Sequence, residues 1–467
     1  MDRRKFLRTT GVGSGAVLVT GCMGNDGGDA GNDGNSGGDG GSGDGGGSGD
    51  SNDTGDGEWP DLDGKRVLLL TEETSEEAIE IFSRLTSDFN EAAGADAQVE
   101  HLAPDELNQR LTQLVEARDP PELVQQPSAL TVFYGTESLA PVNDAVAGFG
   151  DQWGELQDNV RIQLEGDDYF APLWRATSEY WYRDDIVDTH PETWDDLLTA
   201  AEEADGAEEL AGTFSAHGQT ICVDLEVLGW GYSNGARTLE WEGDQVTEAL
   251  TSTQEEWVEV LEFFNELYQY SPDAADAGCS EQINAIADGI SATGFYPGAR
   301  PKIQAIRRER EFAEDVRAAL QPAKESHTTY GDPEGLMTFQ GSNTDAAETF
   351  IEYLYQSDYY LDILMMTPLH NSPPKSVADT EQMQARFDEE LPDEWTQEDI
   401  DTTIERNDYI SNPALETDPP NEIGRVVLDS QVLSQMKFQI VIEGADPATA
   451  VEEAAAELDE IAQEAQE

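Results

Sequence analysis

Over residues 65–126 the apolar pattern switches repeatedly between short continuous runs and helical stripes. No other feature of the chain restricts its fold so strongly. "KRVLLLT" (Lys65 to Thr71) is an unbroken apolar run, the pattern of a strand buried on both faces. Thr74 and Glu77 make a candidate capping box, which would start a helix just after this strand. Ala78, Phe82, Leu85 and Phe89 then recur at helical spacing, and Gly94 supplies a stop. "AQVEHL" reads as a second strand, and Pro104 opens a second helix with Leu107, Leu111, Leu114 and Val115 on one stripe. "ELVQQ" closes the series as a third strand. Strand, helix, strand, helix, strand predicts an α/β, doubly wound lobe, with ligands expected at the carboxyl ends of its strands.

Further along, Trp257, Leu261, Phe264 and Tyr268 form a helical stripe, as do Ala347, Ile351 and Leu354. The stretch from Asp446 repeats the pattern with Val451, Ala454, Leu458 and Ile461. These stripes are core faces and carry no binding role. Residues 58–467 are too many for one core and fit two domains.

The N-terminal residues have a different character. Arg3 and Arg4 precede Phe6, Leu7 and a short, mildly apolar, glycine-rich stretch, the pattern of a twin-arginine export signal over residues 1–21. That stretch is too short and too rich in glycine to span a bilayer as a helix. "VTGC" (Val19 to Cys22) matches a lipobox, so Cys22 is the expected lipidation site. From Gly24 to Gly57 there are 16 glycines among little but Asp, Asn and Ser. Such a segment cannot bury apolar surface and predicts a disordered linker over residues 22–57. Its random-coil reach is roughly 30 Å. Glycine motifs inside it neither follow a strand nor open a helix, so they carry no catalytic meaning. Asn52-Asp53-Thr54 is a glycosylation sequon on this exposed stretch.

The chain holds 98 acidic and 25 basic residues, a formal net charge of −73. Phosphate would be repelled, which argues against nucleic acid as a partner. Self-repulsion of this size becomes tolerable where the Debye length shrinks to about 3 Å near 1 M salt. Acid-rich, lysine-poor composition resembles that of proteins from salt-loving archaea. With Cys22 lipidated, Cys222 and Cys279 remain; they either pair outside the cell or sit as buried thiols. The five histidines lie far apart with no HExxH, CxxC or comparable spacing, so neither a metal site nor a cofactor is expected.

"YFAPLWRATSEYWYRDDIVDTHPETWDDLLTAAEEA" (Tyr169 to Ala204) is the most specific segment. In "PETWDDLL", Thr193 suits a helix cap, Asp195 and Asp196 suit the positive helix end, and Trp194 packs its first turn. The segment resembles the extracellular solute-binding proteins of ABC importers, in particular the large maltose-binding-like class. "VNDAV" (Val142 to Val146), "IADGISATGFYPGA" (Ile286 to Ala299), "GLMTFQGSNTDAAETFIEYLYQSD" (Gly335 to Asp358) and "TPLHNSPPK" (Thr367 to Lys375) follow the same family pattern in order. The departures fall at Phe295, Tyr296 and His370, so the solute does not carry over.

The resemblance implies two doubly wound α/β lobes joined by a multi-strand hinge, the periplasmic-binding-protein-like type II arrangement. Solute would be trapped between them by hinge closure. Crossings are expected near Arg175 to Ser178, Tyr330 to Phe339 and Pro368 to Pro374. Lobe 1 would then comprise residues 58–175 and 336–370, and lobe 2 residues 176–335 and 371–467. The same resemblance implies a monomer, not an enzyme, held outside the cell by its lipid and delivering a small-molecule solute to an ABC permease.

A sugar cleft needs flat apolar faces and a few placed polar groups. Trp174, Tyr180, Trp181, Trp230, Phe295 and Tyr296 fall where the family's cleft loops lie, and about half of such aromatics serve the core. Trp174 and Tyr296 stand out, flanked by Pro and Gly. Gln126 at the end of the third strand and Arg175 beside a hinge are candidate hydrogen-bond donors, and His370 completes the ligand-binding candidates. Arg300, Lys302, Arg307, Arg308 and Arg310 crowd a short stretch. They form either a helix surface with Glu309 and Glu311 as partners or a cationic rim for a phosphorylated sugar or polyol. The alternatives to a sugar are therefore such a phosphate or a polyamine on the same fold, and more remotely a lipid-anchored extracellular hydrolase using two carboxylates.

Overall fold

The computed structural model describes residues 59–466 apart from 126–137, 158–159, 162, 165, 342, 367–368, 370, 419 and 422. The export signal, Cys22, the linker, the Asn52 sequon, Gln126 and His370 thus lie outside the described residues.

Strand β1 (Arg66–Thr71), helix α1 (Glu76–Ala93), β2 (Asp96–His101), α2 (Pro104–Ala117) and β3 (Leu123–Gln125) follow the alternation of the sequence. The cap of α1 is Ser75, whose hydroxyl accepts from the Ala78 N–H, and not the Thr74–Glu77 pair. Gly94 ends the helix in the left-handed region at φ 60°, where a Cβ would be strained. Strand β1 lies between β2 and β3 and parallel to both. Helix α3 (Asn143–Trp153) follows.

Next comes the long strand β4 (Ala171–Arg183). Helices α4 (Trp194–Ala204), α5 (Ile221–Ser233), α6 (Gln254–Leu267) and α7 (Cys279–Ala287) lead to β5 (Thr293–Pro297). Thr193 caps α4 in a full capping box with Asp196. Helix α8 (Arg300–Arg307), β6 (Val316–Ala319) and β7 (Thr329–Phe339) precede α9 (Thr344–Gln356) and α10 (Tyr359–Met365). The remainder includes β8 (Asn371–Ser372), α11 (Gln397–Glu405), α12 (Val432–Val441) and α13 (Pro447–Gln466).

A mixed sheet in the order β5-β4-β7-β3-β1-β2 runs through both lobes, with helices on both sides. Strand β4 joins them by changing partners. Its residues up to Thr177 pair antiparallel with β7, and from Ser178 onward they pair with β5 and then β6. Strand β7 pairs with β3 over Leu336–Thr338 and with β4 over Gly331–Leu336. Strand β8 adds a third pass against Ala176 and Arg175. The β4–β7 register slips between Glu334 and Gly335. A Cβ on Gly335 would stand 2.2 Å from the Ala171 carbonyl oxygen, so only glycine lets the strands approach at this bulge.

Two large apolar clusters fill the lobes. One gathers Phe82, Phe89, Phe149, Phe350 and Tyr360, and extends to Trp181 and Trp395. The other holds Trp194, Trp230, Trp257 and Phe263, with Trp194 and Phe263 stacked at 4.3 Å between centroids. Cys222 on α5 and Cys279 at the start of α7 form a disulfide, which settles the alternative the sequence left open.

Candidate functional site

The carboxyl ends of β1 and β3 meet the hinge strands β4 and β7, and there the chain buries polar groups that a core would avoid. Thr71 and Gln125 are register partners on adjacent strands, so their side chains share a face. The Thr71 hydroxyl donates to Gln125 Oε1 at 2.5 Å. The Gln125 amide in turn reaches Glu334 Oε2 at 3.4 Å. Trp174 lies opposite Glu334 across the β4–β7 pair, and its indole N–H donates to the same Oε2 at 2.8 Å. Glu73 follows β1 directly. Its N–H donates to the Thr71 hydroxyl at 3.1 Å, and His101 Nδ1 lies 2.6 Å from its carbonyl oxygen. Both backbone groups are therefore held, which fixes where the carboxyl goes.

That carboxyl is fully buried, and neither of its oxygens has a hydrogen-bond partner among the described residues. The same holds for Glu334 Oε1. Burial pushes Glu73 up to about 7, against the field of Arg300 at the start of α8. Burial also pushes Glu334 well above the carboxylate range, reinforced by Glu72, Glu73 and Asp332. Asp332, two residues back on the same face of β7, is raised by burial to about 6. Its carboxylate accepts from the Tyr330 hydroxyl at 3.3 Å and from Asn412 Nδ2 at 3.4 Å. Glu72, Glu73, Glu334 and the Trp174 indole are buried here, with the half-buried Asp332 beside Glu334 and the charge of Arg300 felt at Glu73. Buried polar atoms ordinarily find partners, so unmet acceptors aimed into a hinge region mark a place for a ligand.

The sequence candidates separate by face. Trp174 belongs to this cluster. Arg175, the next residue, points to the other side of the strand: Arg175 Nη1 donates to the Asn407 carbonyl at 2.9 Å, and burial lowers its pKa to about 9. Trp181 donates to the Gly298 carbonyl at 3.3 Å and meets Trp395 edge-on at 6.4 Å, within the first core. Trp230 lies in the second core, its ring 5.8 Å from Trp194 and 5.0 Å from Phe263. Phe295 faces Tyr180 across the β4–β5 register in that same core, while Tyr296 lies opposite Glu179 and joins the first. Of the described candidates, Trp174 is brought to the acidic region by its hydrogen bond to Glu334. Glu72 and Glu73 were legible through the strand-end rule already applied to Gln126, whereas Glu334 and Asp332 had no local signal among 98 acids.

The basic stretch takes its partners from other elements and not from Glu309 and Glu311. Lys302 pairs with Asp399 at 2.9 Å, fully buried, and donates to the Val316 carbonyl at 2.6 Å. Arg308 and Arg310 both pair with Asp288. No group of three or more His, Cys, Asp or Glu among the described residues is arranged to hold a metal ion. No described helix is long and apolar enough to cross a membrane.

No curated protein sequence matches the chain. Solved structures do. The sugar-binding protein MalE from Xanthomonas citri matches with a TM-score of 0.70 at 16% identity, over 86% of this chain and 98% of its own. A solute-binding protein of an ABC transporter from Thermotoga lettingae, bound with α-D-tagatose, matches at 0.66 and 17%, over 85% and 100%. One from Agrobacterium vitis with bound D-mannitol matches at 0.61 and 20%, over 86% and 99%. At these identities the likeness is one of fold. The model of the bacterial extracellular solute-binding proteins matches residues 84–390. This chain belongs to that family, and its task is to bind a solute, not to transform one.

Proposed function

We propose that this protein captures a sugar or polyol between its lobes and delivers it to an ABC permease. The observation that carries the reading is the buried, under-satisfied polar cluster around Trp174, Glu73 and Glu334 where the strand ends meet the hinge. It lies where open α/β sheets place ligands, and similar folds hold tagatose and mannitol. The lobes meet where β4 exchanges β7 for β5. This supports the division into residues 58–175 with 336–370 and residues 176–335 with 371–467.

Export through the twin-arginine signal, lipidation at Cys22 and the glycine-rich leash would hold the monomer outside the cell within reach of its transporter. The net charge of −73 suits a molar-salt medium, as in salt-loving archaea. Lys302, Arg308 and Arg310 are each paired with an acid, which favours the sugar or polyol reading over a phosphate-binding rim. A thermal-shift series in molar KCl with tagatose, mannitol, ribitol and maltose tests the reading. A ligand at 100 times its Kd adds about 2.7 kcal/mol, a rise of several degrees. Flat curves throughout would remove the sugar and polyol assignment.

A further inference from the structure

A neutral sugar offers hydroxyls that donate and accept in equal measure, yet this buried polar cluster is one-sided. Glu73 and Glu334 leave three carboxylate oxygens without a partner among the described residues, both side chains being fully buried. They stand at the two ends of one chain of hydrogen bonds. The Glu73 N–H meets the Thr71 hydroxyl, that hydroxyl meets Gln125, and the Gln125 amide meets Glu334. The Trp174 indole satisfies only Oε2 of Glu334.

Three buried acids elsewhere in the chain are each matched by a buried cation. Asp399 has Lys302, Glu226 has Lys437 and Glu179 has Arg406, every one of these six side chains buried. An uncompensated buried carboxylate costs several kcal/mol, and in a protein with so few cations each of these three placements answers that cost. At Glu73 the field of Arg300 opposes the effect of burial, with no ion pair between them. Asp332 and Glu72 add further negative charge around Glu334.

Given the cleft as the solute site, we propose that the solute itself carries a positive charge. It is an amine-bearing sugar or polyol whose cation sits between Glu73 and Glu334. Its N–H groups meet the three open oxygens, and its charge supplies what Lys302, Lys437 and Arg406 supply to Asp399, Glu226 and Glu179. Charge-assisted hydrogen bonds of this kind are about twice as strong as neutral ones.

The test is calorimetric titration of the full chain at pH 8 in about 1 M KCl, where exposed charge is screened but buried pairs are much less so. The probes are D-glucamine, its neutral counterpart D-glucitol, maltose, spermidine and glucose 6-phosphate. D-Glucamine is expected to bind at least about tenfold more tightly than D-glucitol. Glu73→Gln and Glu334→Gln should each abolish that preference. Equal affinity for D-glucitol or maltose, or their binding with uptake of protons, keeps the sugar reading and overturns the cation. Binding of spermidine alone keeps the cation and overturns the sugar. Binding of glucose 6-phosphate alone overturns the cation, and no heat from any probe counts against both. Glu73→Gln also serves as its own folding control, since removing an unmatched buried charge should stabilise the unliganded chain.

Discussion

Glu226 beside Lys437 in the second lobe, and Glu73 with Glu334 at the hinge, are carboxylates buried to nearly the same depth. In the first place Glu226 receives Lys437 at 3.0 Å, Gln282 at 3.0 Å and Ser215 at 3.2 Å. The Lys437 ammonium also stands 4.0 Å from the Phe264 ring centroid. Each charge is answered from within the chain. In the second place the backbone is tightly held while carboxylate oxygens stay open. The contrast separates two meanings of buried charge. An ion pair closed within the chain belongs to the fold, and on the proposed reading the open acceptors at Glu73 and Glu334 are left for a ligand.

The largest effect should come from breaking the complete network. Lys437→Met leaves Glu226 buried without its cation, and is expected to cost about 3–5 kcal/mol. Denaturant unfolding in molar KCl measures this. The double variant Lys437→Met, Glu226→Gln should recover most of the loss, because the unmatched charge is then gone. A single variant within about 0.5 kcal/mol of the parent, the range of an ordinary surface change, would show that the pair is not integral to the fold.

The same kind of change at the incomplete network should have the opposite sign. With its folded pKa raised from 4.5 to about 7, Glu73 binds a proton more tightly in the native state than in the unfolded one. Its stabilising contribution is therefore complete below pH 4.5 and is lost as pH rises to about 7. Glu73→Gln removes that loss, so at pH 8 it should stabilise the unliganded protein by about 3 kcal/mol and leave it nearly unchanged at pH 4. Melting curves at the two pH values decide. A variant no more stable than the parent at pH 8 would mean that Glu73 is already compensated.

What could be read in the sequence follows from the range of the interactions. Leu68 to Leu70, Phe82, Phe89, Leu107 and Leu111 announced the first lobe, because strands and helices are patterned by neighbours two to four residues away. Thr193 with Asp196 was legible for the same reason, as a cap within one turn. Ser75 displaced Thr74 as a cap because hydroxyl residues lie nearby in the same turn and backbone geometry chose between them. The site depends instead on side chains far apart in sequence. Trp174 and Glu334 meet only through the β4–β7 register, and Glu73 is distinguished from other acids by a burial that folding creates. The six aromatic candidates could not be sorted either, since the faces that Trp174, Tyr180 and Trp181 occupy on β4, Phe295 and Tyr296 on β5 and Trp230 on α5 follow from long-range pairing and packing that no local pattern encodes.

The smallest effect sharpens the comparison by holding chemistry constant. Trp174 and Trp181 lie on the same strand, both fully buried, and each donates one indole hydrogen bond. Trp174 gives its bond to the Glu334 carboxylate and Trp181 to the backbone carbonyl of Gly298. Replacing either by Phe removes the donor, keeps an aromatic ring and should cost about 1–2 kcal/mol of stability. Stability alone will therefore not tell them apart, whereas solute affinity should. Trp174→Phe strips Glu334 of the donor that orients its carboxylate and should weaken binding by about tenfold, the worth of one charge-assisted hydrogen bond. Trp181→Phe should leave affinity unchanged, because its partner belongs to the core. Equal losses of affinity in both variants would show that binding reports the packing of β4 as a whole, and the division of this strand into a ligand face and a structural face would then fall.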